Sequence, residues 1–312
     1  MKCVQISILA RISGNVNADE NVGNRITIKK MYDSEGNTYP FVSARAIKYA
    51  IRMKLKEMGF SIDPFYLSDS QLIDSGKPWE FVDNDLFGYL VPSKDGSKRR
   101  TAPVSISYFK ALRNTNISTD FAGRFPREDT GTNKSSNKDS KNVNPNIFEI
   151  EVADIIGKFN IIMYDYIGKP SKFDKEEWEI QITEEERRKR ISSLLRILLI
   201  ERFVLPRRTN SLNIPEYYYA LVSLSKSPLP VYDYLNYQVL NNGMPELDYE
   251  RIKDLVDFLS LFDKNEKPKI YLIDYTGKLD ITQLSNIIKG NIEVIEINRI
   301  GKLIDDATNW LL

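Results

Sequence analysis

Cations carry the chemistry available to this chain. Lys98-Arg99-Arg100 stand together in KRRTAPV (98–104), just after the turn-prone pair Asp95-Gly96. A second set, Arg45, Lys48 and Arg52, recurs at three- and four-residue spacing in FVSARAIKYAIR (41–52), directly behind Ser43. Asn24 and Arg25 follow Gly23 in NVGNR (21–25), and Arg207 and Arg208 sit in LPRRTNS (205–211). Ammonium and guanidinium groups donate to phosphate oxygens and displace counterions, so such clusters suit a sequence-independent grip on a nucleic-acid backbone. Each cluster also has an ordinary structural alternative. Residues 45, 48 and 52 would serve as a solvated helix face, 99–100 as an exposed hairpin, 207–208 as caps on helix carbonyls, and Arg25 as turn chemistry. Ser43 at a helix N-terminus adds donors that an anion would use, which favours the phosphate reading for the first of these.

Covalent chemistry has few candidates. The chain has no histidine, which excludes His-based triads and His-based ribonuclease mechanisms. Its one cysteine, Cys3, allows no internal disulfide and no CxxC metal site, in keeping with a reducing compartment. Asp120, Asp129 and Asp139 fall in or beside a polar stretch. Loop aspartates commonly solvate or shape turns; a divalent-metal site is the chemical alternative. Tyr217, Tyr218 and Tyr219 read as core and edge-strand residues rather than a base-stacking platform. No catalytic residue, metal or cofactor is expected.

The elements that must hold these cations follow from periodicity. Residues 2–12 alternate, with Val4, Ile6 and Ile8 on one side and Gln5, Ser7 and Leu9 on the other, predicting a half-buried strand. A polar loop at 15–25 and an extended ITIKKMY come next. Ser43 as N-cap, a staple between Val42 and Ile47, an apolar face of Ile47, Ile51, Leu55 and Met58, and Gly59 past the end predict a helix. The acidic, irregular 60–93 reads as an insertion, with a strand through Leu86 to Val91; the inserted region as a whole spans 60–113. Residues 122–146 are almost without apolar side chains, a length that in a compact domain is functional or disordered. IFEIEV (147–152) and FNIIMYDYI (159–167) read as two strands with a turn at Gly157. Thr183 and Glu186 form a capping box for a helix that Pro206 stops, and YYYALVSL (217–224) is a strand. The order strand, helix, strand, strand, helix, strand predicts an α+β fold of the ferredoxin-like (RRM-like) kind, here as one domain over 1–312. The aromatic signature of an RRM is absent. Residues 243–312 add two helix–strand alternations, expected to pack on the same core.

Formal net charge is only +1, but it is unevenly spread. Residues 1–60 carry net +5, 61–93 net −5, 94–127 net +6 and 243–312 net −4. Alternating blocks suit a protein that grips an anion with one face and meets a neighbour, or a copy of itself, with others. The N-terminus reads as a strand rather than a signal peptide, and no apolar run is long enough to span a membrane, so a cytoplasmic protein without membrane contact is expected.

The basic elements, in this order, resemble the DevR-type backbone subunits of CRISPR Cascade complexes, members of the RAMP superfamily, most strongly at 1–60, 83–113 and 200–235. The resemblance implies a ferredoxin-like palm with large insertions and a thumb hairpin, placed at 115–148. It implies copies polymerising head-to-tail along a CRISPR RNA, other Cascade subunits as partners, and support for recognition of a target DNA strand in a type I complex. It places guide-backbone contacts at Asn24, Arg25, Ser43, Arg45, Lys48, Arg52, Arg99, Arg100, Arg207 and Arg208. One departure stands out: the family's loop before the last palm strand is usually glycine-rich, and here it reads LPRRTNS. Type III relatives cut target RNA with a thumb aspartate and a divalent metal, which makes a metal-dependent endoribonuclease the alternative. A stand-alone RNA-binding regulator is a third reading.

Overall fold

The alternation that opens the chain becomes β1 (Cys3–Gly14), and every other strand of the main sheet is arranged around it. The computed structural model describes residues 1–16, 18–68, 71–92, 96–124, 146–172, 174, 178–206, 212–240 and 245–312. After β1 come β2 (Ala18–Val22), β3 (Arg25–Ile28), β4 (Lys30–Tyr32), β5 (Thr38–Val42) and α1 (Ala44–Glu57). The next stretch holds β6 (Tyr66–Ser68), β7 (Gln71–Ile73), α2 (Val82–Phe87), β8 (Tyr89–Val91) and β9 (Lys98–Arg100). Then follow β10 (Val104–Ile106), β11 (Phe109–Ala111), β12 (Ile117–Arg124), β13 (Asn146–Tyr164) and α3 (Glu184–Arg196), which runs on into a π-helical turn, Ile197–Glu201. The chain finishes with β14 (Glu216–Ser225), β15 (Tyr237–Val239), β16 (Pro245–Leu247), α4 (Tyr249–Leu259), β17 (Lys269–Asp274), α5 (Ile281–Ile288), β18 (Ile292–Ile295) and α6 (Ile300–Leu311).

This is an α+β molecule with one large mixed sheet, ordered β18-β17-β14-β1-β13-β11-β5-β4. β1 is antiparallel to both β13 and β14, and β10 and β11 are antiparallel to β13. The end of the 60–113 region is therefore part of the sheet. β12 and the first half of β13 form a hairpin, in register from Ile117 opposite Ala153 to Arg124 opposite Asn146. Its tip lies outside the described residues.

Three expectations are corrected. β1 is buried on both faces rather than one: Gln5 is 3% and Ser7 2% exposed. Their polar groups are met inside the protein, Gln5 by a reciprocal pair of 2.7 Å bonds with the backbone of Leu229 and Ser7 by Asn160 Oδ1 at 2.7 Å. A central strand covered on both sides needs such partners, because an unpaired buried amide is costly. Gly157 is not a turn but the middle of a continuous strand of 19 residues. A Cβ there would lie 2.4 Å from the Lys110 carbonyl oxygen, so the glycine marks close approach of two strands rather than a break. Leu86 and Phe87 belong to α2, not to a strand, which is confined to Tyr89–Val91.

Two cores result. Ile47, Ala50, Ile51 and Leu55 of α1 join Ile191, Leu194 and Leu195 of α3, and Leu303 and Ala307 of α6, over Val4, Ile6 and Ile8 of β1. Leu9, Tyr219 and Leu221 point the other way and meet Ile252, Leu255 and Leu259 of α4 and Leu284 of α5. The C-terminal helices thus do not share one core as expected. They divide between the two faces because β14 and β17 alternate apolar residues on both.

Candidate nucleic-acid interface

α1 folds as its sequence dictates. Ser43 sits in extended backbone geometry and its hydroxyl accepts from the Ala46 amide at 3.3 Å, while Lys54 and Lys56 occupy the last turn. The apolar stripe is buried, which leaves Arg45, Lys48 and Arg52 on the adjoining flank. Arg45 is exposed and Lys48 is half-buried. Lys48 Nζ lies 5.4 Å from the centroid of Phe87, and the Arg52 guanidinium lies 4.9 Å from the same ring. Burial, with Arg52 and Arg45 close by, pushes the Lys48 ammonium below the ordinary lysine range. Among the described residues no carboxylate is within ion-pair distance of Arg45 or Lys48. Arg52 differs: its Nε donates to Asp83 at 3.1 Å, and that carboxylate side chain is only 4% exposed. Two of the three cations are open to an anion and the third is already paired.

Arg99 and Arg100 are separated by the pleat of β9. Arg99 opposes Leu90 across the β8–β9 hairpin and is exposed, whereas Arg100 opposes Tyr89 and is buried. The Arg100 guanidinium donates to Asp85 Oδ1 at 2.6 Å, to Asp174 Oδ2 at 2.9 Å, and to the carbonyls of Asp85, Tyr166 and Lys169. With 0% side-chain exposure and its donors spent, Arg100 has nothing left for a phosphate, which corrects the expectation for that residue. Arg190 of α3 takes the other oxygen of Asp85 at 2.9 Å, so one buried carboxylate ties α2, β9 and α3 together.

Asn24 and Arg25 are exposed at the turn between β2 and β3. Asn24 accepts from the Glu149 amide at 2.9 Å through its backbone carbonyl, and Arg25 pairs with the Glu149 carboxylate at 2.6 Å. Both contacts fall midway along the described part of the β12–β13 hairpin, where Glu149 opposes Phe121. The loop at 205–213 is tied to the same end of the sheet. Leu205 donates to Asn213 across its base at 2.8 Å, Asn213 Nδ2 donates to the Asn15 carbonyl at 3.3 Å, and Asn15 Nδ2 donates to the Glu151 carbonyl at 2.8 Å. Arg207 and Arg208 themselves lie outside the described residues, as do Asp129 and Asp139. Asp120 is exposed on β12 opposite Ile150. Among the described residues no group of three or more acidic, Cys or His side chains is placed to hold a metal.

Several cations with clear placements escaped the motif reading. Lys110, on β11 beside Phe41 of β5, lies 4.9 Å from the Tyr39 ring, near the ring contact of Phe41 with the half-exposed Tyr108. Arg113 lies 4.9 Å from Tyr237. Arg202, in left-handed backbone geometry at φ 61° just after the π-helical turn, packs 4.7 Å from Tyr217. Pairing of β11 with β5 is what brings Lys110 to Phe41 and Tyr39, a contact no local motif announces.

Comparison with known proteins follows the same lines. The family model for the CRISPR-associated negative auto-regulator DevR/Csa2 matches residues 77–242, more than half of the chain. No curated protein matches. Among solved structures, a chain of a "CRISPR RNA-guided surveillance complex" aligns at TM-score 0.56 with 11% identity, covering 99% of this chain and 100% of that one. A chain of a "CRISPR RNA-guided surveillance complex, pre-nicking" aligns at TM-score 0.58 with 12% identity and the same coverage. At these identities the likeness is one of fold. The family match is one of sequence, and by it this chain belongs to the CRISPR-associated DevR/Csa2 family.

Proposed function

We propose that this protein is a non-catalytic, CRISPR RNA-binding backbone subunit of a type I surveillance complex. In this reading β1, β10–β11, β13 and β14, with α1 and α3, form a ferredoxin-like palm, and the β12–β13 hairpin is the thumb. The observation that carries it is the convergence of contacts on the hairpin's β13 strand at Glu149 and Glu151. Arg25 is fastened to Glu149, and the base of the 205–213 loop is fastened through Asn213 and Asn15 to Glu151, two residues along the same strand. The turn that carries Arg25 and the described base of the 205–213 loop, far apart in sequence, are thus both fastened to the first half of β13. Phosphate contacts of this kind position a strand without reading its bases, and reading is left to pairing between guide and target. The contact set is Asn24, Arg25, Ser43, Arg45, Lys48, Arg99, Arg207 and Arg208, with Arg52 held in place behind them. Head-to-tail copies along the guide, other complex subunits and a target DNA strand complete the reading.

The nucleic acid that co-purifies tests it. A ladder of short RNAs sharing a repeat-derived end is expected, in particles whose mass rises in steps with RNA length. A discrete oligomer that ignores RNA length, or Mg²⁺-dependent cutting of a complementary RNA lost in Asp120→Ala, would overturn it.

A further inference from the structure

Arg187 is a cation that the fold has buried with no carboxylate partner among the described residues, and the exposed Lys169 stands beside it. They stand at the opposite end of the central strands from the hairpin root, where Cys3 of β1 pairs with Tyr164 of β13. A cavity of about 450 Å³ opens there, lined by Lys169, Pro170, Trp178, Gln181, Ile182 and Arg187. Arg187 is only 9% exposed. Its Nε donates to the Ile167 carbonyl at 2.8 Å, and its Nη2 donates to the carbonyls of Asp165 at 3.1 Å and Leu311 at 3.4 Å. Nη1 has no acceptor among the described residues. Carbonyls orient a guanidinium but do not cancel its charge. Among the described residues no carboxylate lies within ion-pair distance of Arg187 or Lys169; Asp85, Glu184 and Asp165 act on Arg187 only at longer range. Burial pushes the Arg187 guanidinium down from its ordinary range, and desolvation together with the nearby Arg187 charge does the same to Lys169.

The contrast with neighbouring side chains gives this weight. Arg100 and Arg190 are as deeply buried, and both are matched by carboxylates, from Asp85, Asp174 and Glu186. Among the described residues, Arg100 and Arg190 are thus neutralised while Arg187, as buried, lines a cavity with no carboxylate partner. Gly168 keeps it there: a Cβ at that position would lie 2.3 Å from Arg187 Cγ, and its φ of +72° already favours glycine. The cavity also has an aromatic wall. The Trp178 indole is held by the Arg100 guanidinium 4.7 Å from its ring centroid. Gln181 brings an amide that both donates and accepts.

We propose that this cavity binds a nucleoside phosphate, the phosphate on Lys169 and Arg187 Nη1, the base against Trp178 and Ile182 with its edge met by Gln181. An aromatic face, a two-way amide and two unneutralised cations are what a nucleotide presents partners for, and the volume falls within the usual range for a small-molecule site of about 300–1,000 Å³. The nucleotide is either free or the phosphorylated end of a strand. Among the described contacts proposed for RNA, Arg99 sits on β9 beside the Arg100 that packs on Trp178, whereas Asn24 and Arg25 lie at the other end of the sheet.

The test uses the whole protein freed of nucleic acid, with AMP as the probe and tryptophan fluorescence and melting temperature as readouts. AMP should quench fluorescence and raise the melting temperature. Adenosine and inorganic phosphate should each bind at least about tenfold more weakly, since each forgoes one half of the site. Lys169→Gln should weaken AMP by about tenfold or more and leave the melting temperature of the unliganded protein nearly unchanged, since Lys169 is exposed and a substitution there removes little packing. Trp178→Phe should abolish most of the quench while keeping the thermal shift. No response to AMP up to about 10 mM, phosphate binding as tightly as AMP, or an unchanged AMP affinity in Lys169→Gln would each overturn the proposal. Comparing AMP with a short 5′-phosphorylated RNA identifies the source: tighter binding of the oligonucleotide assigns a strand end, equal or weaker binding a free nucleotide. Guide RNA binding should be the same in Lys169→Gln and wild type, so failure of the RNA-path reading would leave this result standing.

Discussion

The sharpest separation between a working cation and a structural one lies on α1, and it can be measured. Arg45 and Lys48 have no carboxylate partner among the described residues, whereas Arg52 is paired with the buried Asp83. On single strands each neutralised phosphate contributes roughly −0.7 to the slope of log affinity against log salt. Arg45→Ala with Lys48→Ala should therefore flatten that slope by about 1.4. Raising salt fourfold, from about 50 to about 200 mM, spans roughly 0.6 log units, so wild type should lose about sevenfold more affinity than the double variant over that interval. At low salt two charge-assisted contacts, one on an exposed arginine and one on a half-buried lysine, together contribute roughly 2–3 kcal/mol, a deficit of roughly 30- to 150-fold. Arg52→Ala should behave in the opposite way. It strands the Asp83 carboxylate and lifts a guanidinium off Phe87, so it should cost about 3 kcal/mol of stability while leaving the salt slope within about 0.3 of wild type. Fluorescence anisotropy with a labelled single-stranded RNA of unrelated sequence, titrated at four or so salt concentrations, reads all three proteins. Parallel salt lines for wild type and Arg45→Ala/Lys48→Ala would refute the reasoning, as would an Arg52→Ala line that flattens as much as the double variant's.

Lys48 also sets a pH dependence. Burial and two neighbouring cations lower its affinity for a proton in the free protein, and a phosphate beside it would raise it again, so binding takes up a proton. RNA affinity should fall as pH climbs through the alkaline range below the ordinary lysine value, and Lys48→Ala should remove that fall; anisotropy across pH checks it. Asp85→Asn leaves the buried Arg100 and Arg190 guanidinia short of one counter-charge, at a cost of about 3–5 kcal/mol and a melting temperature lower by roughly 5–10 °C, measured calorimetrically. Gly157→Ala places a methyl 2.4 Å from the Lys110 carbonyl oxygen and should cost at least about 2 kcal/mol in denaturant unfolding, whereas an alanine at an ordinary strand glycine is neutral or better. Arg25→Ala removes an exposed ion pair worth about 1 kcal/mol or less, so it should weaken RNA binding with little change in melting temperature.

How much of this was legible depended on whether the deciding interaction was local. α1 was readable in full because its N-cap, staple, apolar stripe and terminal glycine all lie within one stretch of sequence. The N-cap at Thr183 was readable for the same reason, its hydroxyl accepting from the Glu186 amide at 3.2 Å, while the Glu186 carboxylate accepts from Arg190 at 3.0 Å. β13 was misread because Gly157 has two meanings, turn or close approach, and only the partner strand decides between them. The polar side of β1 suggested solvent because nothing in residues 2–12 announces that the backbone of Leu229 will meet Gln5. Among the candidate contacts, Arg99 and Arg100 could not be told apart by type. Their difference is a matter of strand parity plus two carboxylates, Asp85 and Asp174, that lie far away on either side in sequence.

That last case carries a general argument about basic proteins of near-zero net charge. In this chain Lys+Arg number 44 and Asp+Glu 43, and the near balance conceals two populations of cation. Arg100, Arg190 and Arg52 are held by buried carboxylates and act as rivets between α2, β9, α3 and α1. Removing one partner of such a rivet is costly, so these positions constrain the fold. Arg45 and Lys48 have no such partner among the described residues, and their charge is available to an approaching anion. The acidic insertion supplies the distinction. Its Asp83 and Asp85 sit in α2 with both carboxylates facing inward, so the net −5 of residues 61–93 is partly consumed inside the protein and does not oppose the basic flank of α1 as a surface charge would. Sequence charge counts add all groups with equal weight, whereas a strand of phosphates responds only to those left unpaired and exposed. By that measure the α1 flank is more positive than its share of the sequence suggests, which is the physical basis on which the phosphate reading of α1 rests.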